Sequence, residues 1–219
     1  MHPFDQDLGG LRQRLLTMAS HAATAVRHAM KAYSERDDDL SRRVETDDNI
    51  LDDFEKEIDD LAIRLLLRAP MARDLRFIMV ATKISHDLER VGDEATSIAR
   101  RARDLNREPQ LSVAIDLPQM AVMVLEMLGT AIEAYVATNS DRARTVIPRD
   151  KEVDRLNRDI HRELTACLVR DPGNVGRALN LMSISKRLER IGDHAKSIAE
   201  EVVYLSEARD IRHTRDTSV

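Results

Sequence analysis

Phe77, Ala81, Ile84, Leu88, Val91, Ala95, Ile98, Ala102 and Leu105 follow one another at alternating spacings of four and three residues. That spacing puts them on one stripe of an α-helix, the kind of seam found in coiled coils and helical bundles. Leu181, Ile184, Leu188, Ile191, Ala195, Ile198, Val202 and Leu205 repeat it further along. Extended to the rest of the chain, the pattern predicts helices near 8–36, 47–68, 72–105, 117–138, 149–170 and 174–207. Prolines punctuate them, because a proline inside a helix loses a hydrogen bond and clashes with the preceding turn. Pro70 and Pro172 each separate two predicted helices, Pro109 and Pro118 bracket a linker, and Pro148 marks a break between a short helical turn and the fifth long helix. At 1.5 Å per residue the longest helices would run roughly 50 Å.

The chain also reads as a duplication. Leu88-Glu-Arg-Val-Gly-Asp-Glu-Ala-Thr-Ser-Ile-Ala99 and Leu188-Glu-Arg-Ile-Gly-Asp-His-Ala-Lys-Ser-Ile-Ala199 agree at nine of twelve positions, 100 residues apart. Ala29-Met-Lys-Ala-Tyr33 matches Ala131-Ile-Glu-Ala-Tyr135, and Asp48 and Asp52 match Asp150 and Asp154, at an offset of 102. A repeat of about half the chain is too long for a solenoid period. The expected fold is therefore all-α: a tandem repeat of two three-helix bundles with long antiparallel helices. Residues 1–107 form the first repeat, 108–116 a linker, 117–208 the second repeat and 209–219 a polar tail expected to be disordered.

Composition narrows the function classes. With 219 residues, no Trp and 3% aromatics, the chain has the Ala-, Leu- and charge-rich make-up of a helical protein. A formal net charge of −5 gives no general attraction to nucleic acid. No run of 18 apolar residues is present, and the N-terminus lacks the basic start and apolar core of a secretory signal, so a cytoplasmic protein is expected. The single cysteine, Cys167, lies in an apolar run and reads as a core residue. A lone cysteine and scattered histidines do not make a zinc site.

The acidic residues are more informative. Glu89 and Asp93 lie four apart on one helix face, as do Glu189 and Asp193. Taken alone, each pair is an ordinary solvated face. Counting outward from Pro70 and Pro172 changes this: in an antiparallel hairpin Asp48 comes level with Asp93 and Asp52 with Glu89, while Asp150 comes level with Asp193 and Asp154 with Glu189. Four carboxylates converge in each repeat. Such clusters need protons, basic neighbours or a cation, and an all-oxygen donor set suits Mg, Mn, Ca or Fe ions. His86, one turn before Glu89, could add an imidazole, but its counterpart is Lys186. Arg90 and Arg190 point about 100° round the helix and need not neutralise the clusters. His194 reads as a surface residue. Gly92 and Gly192 each cost a helix about 1 kcal/mol relative to Ala, which suggests that a side chain there would obstruct helix approach or access to the carboxylates.

Two three-helix repeats, each with Asp-x-x-x-Asp on the second helix and Leu-Glu-Arg-[Val/Ile]-Gly-Asp on the third, resemble the PhoU family of phosphate-signalling proteins. The phrase Pro70-Met-Ala-Arg-Asp-Leu-Arg76 also resembles that family's first-repeat turn. The resemblance covers about residues 10–207. It implies a cytoplasmic, non-enzymatic regulator, peripheral to the inner face of the membrane through its partners. It further implies negative modulation of phosphate uptake and of the phosphate-starvation response, through the ATPase subunit of a phosphate ABC transporter and a phosphate-sensing membrane histidine kinase. Metal clusters at the acidic motifs and a homodimer are implied as well. The second half lacks the Asp-Leu-Arg phrase after its proline, so contacts that depend on it should be one-sided.

Two other readings compete. A carboxylate-bridged di-metal enzyme would use Glu-x-x-His on facing helices, and no Glu-x-x-His occurs here. Its site would also need shielding that positions off the apolar seam do not promise. A plain helical scaffold with incidental acidic patches would bind neither metal nor partner.

Overall fold

The computed structural model describes residues 3–68 and 71–211. Among these residues eight α-helices follow in order: α1 (Pro3–Glu35), α2 (Asp38–Asp47), α3 (Asn49–Leu66), α4 (Ala72–Asn106), α5 (Leu117–Ala137), α6 (Ser140–Arg144), α7 (Asp150–Arg170) and α8 (Val175–Glu207). Short 3-10 turns cover Ile147–Arg149 and Pro172–Asn174. The six long helices are those expected from the apolar pattern, and the break at Pro148 is the 3-10 turn. The turn at Pro70 and tail residues 212–219 lie outside the described residues; Ile211 packs partly buried against the core.

Helix α2 was not expected. Its start signal is Asp37, whose side chain accepts a hydrogen bond from the Leu40 backbone N–H at 2.8 Å, an N-cap ahead of the buried Val44. Arg36, in the left-handed region at φ 56°, ends α1 and donates to the carbonyls of Leu105, Asn106 and Glu108 at 2.7–3.2 Å, closing the C-terminus of α4. Asp48 stands between α2 and α3, and Asp150 opens α7. In both repeats a carboxylate therefore sits at a helix N-terminus, where the helix dipole favours it.

The α4 seam from Ala81 to Leu105 and the whole α8 seam are buried, while Phe77 is partly so. Both helices bury a second face as well, including Ala99, Ala199 and Val203, because α4 and α8 also pack on each other. Lys83 meets Glu201 at 3.0 Å, Asp87 meets His194 at 2.9 Å, and Glu94 meets Arg187 and Arg190 at 2.9 and 3.3 Å. These pairings run in opposite directions along the two helices, so the repeats join antiparallel through their third helices into one continuous core. Helix α5 is long and apolar enough to cross a membrane by length and composition. Here it is a core helix, with Leu117, Met120, Val124, Met127, Ala131 and Tyr135 buried. Cys167 is buried as expected.

The two glycines differ. A Cβ on Gly92 would overlap Leu51 Cδ1, a buried side chain of α3. A Cβ on Gly192 would make ordinary contacts with Val153 Cγ1 at 3.4 Å and Val124 Cγ1 at 3.5 Å. Close helix approach explains the first glycine only. Gly92→Ala should therefore destabilise the protein by about 1 kcal/mol net, overpacking outweighing the gain in helix propensity. Gly192→Ala should be neutral or stabilise by up to ~1 kcal/mol. Thermal melts of the two variants, shifted in opposite directions or with only Gly92→Ala lowered, would check this.

Candidate metal centres

Each acidic cluster is built across a helical hairpin. In the first repeat α3 supplies Asp52 and Glu55, Asp48 stands at its start, and α4 supplies Glu89 and Asp93. Thr96 donates to Asp48 Oδ1 at 3.0 Å, and His86 Nδ1 lies 3.1 Å from Glu55 Oε1. The hairpin register thus brings the start of α3 level with the middle of α4. The Asp48 carboxyl is pushed up from its ordinary pKa by burial; Thr96 partly offsets this, and Asp93 and Asp52 add to it. Glu89 is pushed up by burial first and then by Asp93, with Glu55 and Asp52 contributing. The four carboxylates of the first repeat therefore feel one another.

The second repeat does the same between α7 and α8. Asp193, although its side chain reaches solvent, is pushed up by partial desolvation and then by Glu189, Asp150 and Asp154. Asp150 and Glu189 are buried, at 5% and 9% exposure. These positions are more shielded than an outward face would be, because α3 and α7 lie over the carboxylates of their partner helices.

Several neighbours differ from expectation. Arg90 does reach its cluster, at 3.0 Å from Asp93 Oδ2 and 3.3 Å from Glu89 Oε2. A long side chain can double back along its own helix, which the angle of its Cβ does not reveal. Arg190 turns instead to Glu94. His194 is a contact between the repeats, bonded to Asp87, rather than a surface residue. Glu55 was not singled out in the sequence, although it lies three residues after Asp52 on the same helix face. With His86 and Glu89 it offers ligand atoms all within 4.8 Å of one another. Lys186 Nζ sits 2.7 Å from Glu189 Oε1, and Lys196 Nζ 2.7 Å from Asp150 Oδ2. An open cleft of about 550 Å³ is lined from both repeats, by Asp48, Arg90 and Asp93 of the first and by Arg187, Asp193 and His194 of the second.

The donor set fits a cation. Asp150 Oδ1 is buried and meets no hydrogen-bond donor. Glu89 Oε2 has only the poorly aligned Arg90. Carboxylate oxygens held in this way in a half-buried site are the ligands that hard and borderline divalent ions take.

A duplicated helical bundle carrying paired carboxylate clusters is the class of protein that fold and site define. The PhoU domain profile matches residues 15–102 and 117–202, and the chain belongs to the PhoU family. It is 36% identical to the phosphate-specific transport system accessory protein PhoU homolog of Pseudomonas aeruginosa over 212 residues, 96% of this chain and 88% of that protein. With the corresponding homolog of Clostridium acetobutylicum it shares 34% over 210 residues, 95% and 96% of the two chains. The crystal structure of PhoU from Pseudomonas aeruginosa superposes with a TM-score of 0.91 at 36% identity, covering 94% of this chain and 100% of that one. That of the phosphate transport system regulatory protein PhoU from Streptococcus pneumoniae gives 0.88 at 25%, covering 95% and 99%. The family is one of accessory and regulatory proteins, and the chain is no enzyme.

The raised carboxylates have a pH consequence. A folded-state pKa above the unfolded value means that the native state binds more protons between the two values, so stability falls as pH rises through that window. The raised carboxyls of Asp48, Glu89 and Asp193 should therefore make the metal-free protein melt higher just above the ordinary carboxylate range than at neutral pH. Glu89→Gln with Asp93→Asn should reduce that difference and leave the part due to Asp193, as measured by calorimetry in chelator-treated buffer.

Proposed function

We propose that this chain is a cytoplasmic negative regulator of phosphate uptake and of the phosphate-starvation response, acting by binding rather than by catalysis. The observation that carries the reading is PhoU-domain similarity across both repeats, with all four acidic positions present in each. Its partners are the ATPase subunit of a phosphate ABC transporter and a phosphate-sensing membrane histidine kinase, and it works as a homodimer. Peripheral attachment to the inner face of the membrane comes through those partners. The accessory role of the relatives, by their names, supports the transporter connection.

The carboxylates Asp48, Asp52, Glu89 and Asp93, and Asp150, Asp154, Glu189 and Asp193, bind divalent or trivalent metal. A bound ion supplies positive charge that relieves their repulsion. In that role it staples α3 to α4 and α7 to α8, because each set spans the two helices of a hairpin and is half-buried between them. Partners then meet other surfaces. Around the turn between α3 and α4, Leu67 and Met71 are 82% and 80% exposed, and Ile63, Leu75 and Met79 are also exposed. A group of apolar side chains this open to water favours burial against another protein. It includes the Met-Ala-Arg-Asp-Leu-Arg phrase that the second repeat lacks.

Deleting the chain from its host should switch on a phosphate-starvation reporter, such as alkaline phosphatase, in phosphate-rich medium, and restoring the full chain should silence it. A reporter that stays silent on deletion would count against the regulatory reading. Under the staple reading, Glu89→Gln with Asp93→Asn removes the first cluster's share of the gain in Tm on adding metal and leaves that of the second, while partner affinity in the folded variant stays within about twofold. A larger loss of affinity with the fold intact would instead make the metal a docking group.

A further inference from the structure

The two acidic clusters are duplicated in their carboxylates but not in what surrounds them. At the edge of the first stand Glu55, His86 and Thr96; at the matching positions of the second stand Asn157, Lys186 and Lys196. All three changes go the same way: an acid becomes an amide, an imidazole becomes an ammonium, and a hydroxyl becomes an ammonium. We propose that the clusters are inequivalent cation sites, the first taking a first-row transition ion such as Mn²⁺ with Glu55 and His86 among its ligands, and the second carrying its own lysine counter-ions. This inference rests on the metal-binding reading above.

The contacts support it residue by residue. Lys186 bonds Glu189 Oε1 and Lys196 bonds Asp150 Oδ2, each at 2.7 Å. The Oδ1 of Asn157 is already engaged, accepting from Ser185 Oγ at 2.7 Å. A cation entering the second cluster competes with an ammonium group at two of its four carboxylates. In the first cluster Thr96 orients Asp48 through one hydrogen bond without neutralising it, and His86 can turn a ring nitrogen to a metal. Among the described residues the cation bonded there is Arg90, which is half-exposed and paired with Glu89 and Asp93, while Arg100 acts on Asp48 from further off. The first cluster thus sets five carboxylates against one bonded guanidinium, with Arg100 further off, and the second sets four against two bonded ammonium groups.

Site affinity for a divalent ion follows the charge of its ligands, and imidazole shifts preference from Mg²⁺ and Ca²⁺ towards transition ions. The second cluster keeps a residual capacity, because Asp150 Oδ1 is buried and without a donor.

The test is a titration of the metal-free full chain with Mn²⁺, followed by calorimetry and by the paramagnetic signal of the unbound ion. One tight class and one weaker by on the order of tenfold or more are expected. His86→Ala should remove the tight class, while Glu189→Gln should leave it unchanged. The sharper arm exchanges residues between repeats. Lys186→His with Lys196→Thr should tighten the weak class towards the strong one, and His86→Lys with Thr96→Lys should abolish the strong one. Melting curves confirm that each variant folds. Two equal classes in the unaltered chain, or no gain from removing the lysines, would overturn the inequivalence and leave metal binding standing. No binding in any variant would remove the metal reading itself.

Discussion

Helices α4 and α8 lie antiparallel against one another, and each must satisfy two neighbours at once. One stripe of each closes the bundle of its own repeat, and another stripe meets the opposite repeat. That double demand explains why Ala is frequent along both helices: small side chains let helices approach closely on more than one side. It also explains why charges between them are held in specific pairs. Glu94 is 7% exposed and receives both Arg187 and Arg190, and Glu201 is 2% exposed with Lys83. A buried carboxylate left without such partners would cost several kcal/mol.

The acidic clusters follow from that pairing. Because α3 and α7 lie over α4 and α8, their N-terminal carboxylates are brought down onto a helix face that is already acidic. Burial and mutual repulsion both act against ionisation there. The fold tolerates this cost twice, and it compensates differently in the two halves. The first half uses a threonine, a flexible arginine and a histidine, and the second uses two lysines. A duplicated backbone has thus been given two electrostatic environments while its apolar seam stayed nearly unchanged.

The long helices, the duplication and the convergence of carboxylates were legible in the chain because each depends on periodicity. Spacings of three and four place residues on a face, and distance from a turn places them at a height. The eight principal carboxylates and the hairpin register came from that arithmetic. Helix α2 was legible in principle from Asp37 and the apolar residues after it, but its short length gave the apolar period little to work on.

What periodicity cannot supply is the direction of long side chains and the identity of neighbours from elsewhere in the chain. Whether Arg90 doubles back onto Glu89, whether His194 crosses to Asp87, and whether Lys196 rather than solvent answers Asp150 all depend on contacts across helices. The same holds for the glycines: both occupy one place in the repeat, yet only Gly92 is pressed by a leucine, because Leu51 and Val153 differ in reach. The sequence by itself determined the helices, their order and the acidic faces, since local spacing dictates these. Tertiary structure alone decided which charges are neutralised and how deeply they are buried, since those depend on what packs opposite.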